Sequence, residues 1–153
     1  MTAPLPLQQS SELYEQDYVL WLQTTVDLLR HGKLDQVDVS NLIEELEDMG
    51  RSEKRALDSN LEVLLRHLLK YQYQPERRSN SWRFTILEHR DRIERLFRDS
   101  PSLKPYYESV FADCYARARR KAAVETGLSI EVFPEKAPFT PTETLNLDFL
   151  PNI

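Results

Sequence analysis

Apolar residues recur along this chain at steps of three and four, the spacing that lines one face of an α-helix. The longest run is Leu42, Leu46, Met49, Leu57, Leu61, Leu64 and Leu68, in a stretch that ends against Pro75. It predicts a long central helix over about 40–74, because the residue before a proline is pushed out of the helical region. Asn41 and Glu44 have capping-box spacing at its start. Gly50 and the polar run RSEKR interrupt the seam, which predicts a kink near Gly50 or an exposed middle. Upstream, Leu13, Tyr14, Tyr18, Trp21, Leu22, Thr25, Leu28 and Leu29 form the stripe of a first helix, from about Glu12 to His31. Ser10 or Ser11 can cap it and Gly32 ends it. Downstream, Trp82, Ile86, His89, Ile93 and Leu96 or Phe97 predict a third helix over about 81–98, capped by Ser79 or Ser81. Arg90, Asp91, Arg92, Glu94 and Arg95 alternate in sign on what should be its solvated faces. A fourth stripe, Leu103, Tyr107, Val110, Phe111, Cys114 and Ala118, follows Ser102, with Pro105 in the first turn and Gly127 as C-terminal cap.

After Leu128 the pattern changes. Pro134, Pro138, Pro141 and Pro151 exclude a long helix. Thr140, Pro141 and Glu143 have the order of a cap, first position and box acid for one helical turn. Leu145, Leu147 and Phe149 then alternate as in a strand. The predicted fold is all-α, a four-helix up-and-down bundle built on the central helix, with an extended C-terminal arm. By residue, 1–10 is a disordered N-terminus, 11–128 is the bundle, and 129–153 is the arm, packed on the bundle or on a neighbouring subunit.

Composition narrows the functional classes. A chain of 153 residues is one domain by length. Only three glycines occur, so glycine-rich phosphate loops are absent, and one cysteine excludes an internal disulfide or a Cys-based zinc site. The first residues lack a secretory signal and no apolar run reaches the length of a membrane span, which predicts a cytoplasmic protein. Net charge is −5, unevenly placed. Residues 1–50 hold ten acids against two bases, 51–121 hold seventeen bases against ten acids, and 122–153 hold five acids against one base. The opposed charges either complement each other within one fold or leave a basic face for a partner.

The stretches LYEQDYVLWL, LLRHGKLDQVD, NLIEELEDMGRSEKRAL, LLRHLLKYQYQPERRSNSWRFTI, SPSL and YARARRKAAVETGL, followed by FPE, occur in this order from Leu13 to Pro138. Together they resemble the bacterial helical family catalogued as domain of unknown function twenty-nine (DUF29). The resemblance implies an all-helical fold and supplies no activity. The arm after Pro138 lies beyond the matching stretches.

Three groups of residues carry candidate chemistry. The first is Asp17, Glu44, Glu45, Glu47 and His67. Paired carboxylates with an imidazole can perform acid–base chemistry, and Glu44, Glu47 and His67 have the donor types of a metal site. A ferritin-like di-metal centre lacks its Glu-x-x-His pairs here, and no cofactor is implied. A metal-dependent hydrolase or nuclease would use Asp17, Glu44, Glu45 and His67, with Arg83 or Arg90 holding phosphate. The second group is Lys70, Tyr73, Arg77, Arg78, Trp82, Arg83 and Arg90, where bases alternate with aromatics as in single-strand or RNA contacts. An inter-helix corner uses the same residues for packing. The third is RARRK, where Arg119 can reach inward to an acid and Arg117, Arg120 and Lys121 are solvated. No set is complete, and the reading is a small interaction or regulatory module with a protein partner or a second copy. The metal-dependent hydrolase and the nucleic-acid binder are the alternatives.

Overall fold

The computed structural model describes residues 7–152. Among them there are helices and turns and no strand, so the fold is an all-α bundle. Two compact units divide the chain, Met1–Arg51 and Ser52–Ile153.

The first unit holds α1 (Leu7–Gln16), α2 (Tyr18–Arg30), a 3-10 turn over Leu34–Gln36 and the start of α3 (Val39–Tyr73). One upstream helix was expected, and Asp17 makes it two. Its backbone is extended (φ −148°) and its carboxylate accepts the N–H of Leu20 at 3.0 Å, so it caps α2 instead of continuing α1. A short carboxylate satisfies an orphan N–H better than it propagates a helix. Because α1 begins at Leu7, neither Ser10 nor Ser11 caps it. Of the ten N-terminal residues expected to lack structure, 1–6 lie outside the described residues and 7–10 are helical. Gly32 takes the left-handed φ of +71° where the chain leaves α2.

Asp38, not Asn41, sits at the start of α3. Its carboxylate accepts the Asn41 N–H at 3.4 Å and the Asn41 side-chain amide at 2.6 Å. The helix therefore begins a few residues before the expected box, and no acid falls in its first turn. It runs unbroken through Gly50, and residues 46–55 are all exposed, so the interruption in the seam marks an exposed middle.

The second unit contains the rest of α3, α4 (Asn80–Asp99), α5 (Leu103–Thr126) and the arm, with a 3-10 turn at Ile130–Val132 and the single-turn α6 (Pro141–Leu145). Its core is built on Leu57, Leu61, Leu64, Leu65, Leu68 and Leu69 of α3, all fully buried. Ile86, Ile93 and Phe97 of α4 and Tyr107, Phe111 and Tyr115 of α5 close over them. Cys114, Ala118 and Ala122 repeat every four residues on α5. Small side chains there let α5 come close to α3, and the Cys114 Sγ lies 3.9 Å from the Asp58 carbonyl oxygen. Ser79 caps α4 through the Trp82 N–H, and Gly127 ends α5 at φ +72°. Ser102 precedes α5 without a side-chain capping bond.

The arm lies on its own unit. Phe133 and Phe139 enter the core, and Thr140 and Glu143 form the expected capping box. The strand expected over Leu145–Phe149 is absent. Leu145 ends α6, and Asn146 turns the chain by accepting the N–H of Asp148 on its side chain and that of Phe149 on its carbonyl. Helix side chains supply donors to the arm's carbonyls. Arg90 binds Thr144 and Phe149, both at 2.8 Å, and Arg119 binds Phe133 at 2.9 Å. Tyr107 donates to Pro141 at 2.6 Å, Tyr115 to Pro134 at 2.5 Å, and Arg78 to Pro151 at 3.5 Å. Buried carbonyls need such partners, since the arm makes little backbone ladder of its own. Arg90, expected on a solvated face, is therefore 3% exposed.

Candidate functional site

Apart from Glu44, the members of the acid and histidine group have partners close by in the sequence or within their own unit. Asp17 caps α2. Glu45 accepts hydrogen bonds from the hydroxyls of Tyr14 and Tyr18, which raise both phenols above their ordinary value. Glu47 and Asp48 both pair with Arg51, and Glu44 is exposed. These carboxylates belong to the first unit and His67 to the second. The half-buried His67 ring places Nδ1 2.9 Å from the Val63 carbonyl oxygen, and burial holds its pKa below the ordinary value, helped by Lys70 and Arg66. His89 makes the same kind of contact with Thr85, at 2.8 Å. Among the described residues no three His, Cys, Asp or Glu side chains gather as a metal site requires. Cys114 is buried, and burial raises its thiol to about 11, which removes it as a nucleophile.

The basic and aromatic corner is mostly turned inward. Lys70 is buried, bonded to Glu125 at 2.7 Å and set over the Trp82 ring at 4.7 Å. Tyr73 packs edge-on against Phe133. Arg78 donates to the Tyr71 carbonyl at 2.7 Å and stacks 4.4 Å above that ring. Arg90 holds the arm, while Arg77 and Arg83 face solvent. In the RARRK run, Arg119 reaches inward to a carbonyl rather than an acid. Arg117 and Lys121 both bind Glu62 while their side chains keep contact with solvent. Burial alone would raise the Glu62 pKa, and those two cations hold it below the carboxylate range.

A different surface stands out in the first unit. Tyr18, Leu22, Leu29, Leu46 and Met49 were expected in the apolar seam, yet all are exposed. Trp21, Thr25 and Leu28 form the buried face of α2. Val19, Leu22, Val26 and Leu29 lie roughly 100° around the helix from it, at about 100° per residue. On α3, Val39, Ile43 and Leu46 lie at a similar angle, in the same rotational sense, from Glu45, the residue that meets the tyrosines; Met49 falls between. The turn through residues 31–38 joins the two helices, and Tyr18 of α2 meets Glu45 of α3. Eight apolar side chains on the two stripes are thus exposed by 37–63%. Apolar exposure on this scale points to a contact surface. Its signal was present in the sequence: α2 is apolar over more than half its circumference, wider than one core face requires.

No helix among the described residues is long and apolar enough to cross a membrane. No curated protein and no solved structure gives a match to the chain. The family model described as domain of unknown function DUF29 matches residues 13–150. The match runs through α6 and almost to the chain's end, so the arm lies inside the family's pattern and not beyond it. Covering nearly all of the chain, it shows that the chain belongs to the DUF29 family.

Proposed function

We propose that this chain is a cytoplasmic helical interaction module that binds a protein surface through the apolar side of its N-terminal helix pair. The observation that carries the reading is the exposure of Val19, Leu22, Val26 and Leu29 along one stripe of α2 and of Val39, Ile43, Leu46 and Met49 along one stripe of α3. Water contact at eight aliphatic side chains is unfavourable, and covering them provides the drive for association. The second unit has its own buried core, and most bases of its aromatic corner are engaged with internal partners. That leaves Arg77 and Arg83 as the corner's solvent-facing contribution to any phosphate contact.

The test is cross-linking in the source cells, comparing the wild type with Leu22→Gln combined with Ile43→Gln. Both positions are exposed, so the variant should keep its helix content. Wild-type adducts, whether with another copy or another protein, should be lost from the variant. Identical adducts in both proteins, or none in either, would remove this face as the binding surface.

A further inference from the structure

We infer that the apolar face of the N-terminal helix pair is closed by the same face of a second copy of this chain. The inference rests on the proposed interaction role and names its partner. The spacing is the first support. Val19, Leu22, Val26 and Leu29 follow steps of three, four and three, and Val39, Ile43 and Leu46 follow four and three. That is the repeat of a seam that receives helices as knobs into holes. A face made of two helices, placed on its own copy by a twofold axis, completes a four-helix core.

Area is the second support. The eight side chains expose roughly 700 Å² in all, so two copies would cover roughly 1,400 Å², within the range of stable interfaces. Met49, Leu46 and Val19 are the most exposed of the eight, at 63%, 59% and 61%, and contribute the largest shares.

Charge is the third. Residues 1–50 are strongly acidic, which would oppose self-association if the acids rimmed the face. Some of them are engaged: Glu45 is turned to the two tyrosines, and Arg51 pairs with Glu47 and Asp48 and offsets one of their two charges, while Glu44 is exposed. Arg30 supplies a base at the end of α2. The apolar strip between them carries no charged side chain. Like faces can therefore meet without stacking like charges.

Sedimentation of the full chain across a concentration series tests this directly. The wild type should sediment at twice its 18.0 kDa chain mass. Ile43→Glu and, separately, Leu22→Glu should each shift it to the monomer, raising the dissociation constant at least about thirtyfold, because symmetry places the new charge in the seam twice. Unchanged helical circular dichroism shows that the variants fold. A wild type that stays monomeric at all concentrations overturns the inference, as does a dimer that ignores both substitutions. If the wild type is monomeric while the cellular adducts still depend on Leu22 and Ile43, only the second copy falls and the interaction role stands. If those adducts are also insensitive, both readings fall.

Discussion

Half-burial, helped by Lys70 and Arg66, holds the His67 pKa below its ordinary value, against the opposing pull of the Nδ1–H bond to the Val63 carbonyl. The sign of the pH effect follows. With the folded pKa below the unfolded value of about 6.5, the contribution is complete above that pH. It is lost as pH falls toward the folded pKa, because the unfolded chain takes up the proton first. Urea unfolding at about pH 7.5, 6.5 and 5.5 should show the wild type losing stability relative to His67→Gln as pH falls. Parallel curves would mean that the ring titrates as in water. At this scale the sequence was partly legible. The sequence offered His67 as a partner for carboxylates, and the carbonyl that it meets lies one turn back, at Val63. Asp17 was ambiguous, since a capping carboxylate and a solvated one look alike until the backbone at that residue is known. Glu45 was harder still, because its tyrosine partners are 31 and 27 residues away.

Among elements, some features set within four residues were readable, although Asp17, Asp38 and Ser102 departed from the local expectation, and features set by distant partners were not readable. Gly127, Ser79 and the Thr140–Glu143 box act on adjacent backbone, and each occurs where local chemistry placed it. Arg90 obeyed a pattern of alternating charge and still proved buried, because its partners, Thr144 and Phe149, lie more than fifty residues away. Replacing it by methionine should free this end of the arm. Two charge-assisted bonds are lost, a cost of about 2–4 kcal/mol after allowing for the buried charge that is also removed. Amide exchange over residues 144–150 should quicken at least about tenfold while that of Leu61–Leu69 changes less. Equal protection in both proteins would show that Phe139 and the Tyr107 bond hold the arm without Arg90. Hydrophobic periodicity likewise identified the apolar faces of α2 and α3 without saying which of them the fold covers.

For the molecule as a whole, the division into two units falls in the exposed middle of α3, where Gly50 and RSEKR interrupt the leucines. Ser52–Ile153 holds the leucine core, the helices that close it and the arm. That fragment expressed alone should unfold in one cooperative transition by circular dichroism. A gradual loss of helix on heating would show that the first unit is needed for its core. The arm's attachment also bears on how this family can vary. Six carbonyl oxygens, those of Phe133, Pro134, Pro141, Thr144, Phe149 and Pro151, receive the bonds from the helices. Every amino acid carries that same oxygen, so the helices recognise a path of main chain more than a string of letters. Outside the buried Phe133, Phe139, Thr144 and Pro151, the capping Thr140 and Glu143, the turn-forming Asn146 and the side chains packed on the core, the arm's spelling can drift while its course over the helices stays the same.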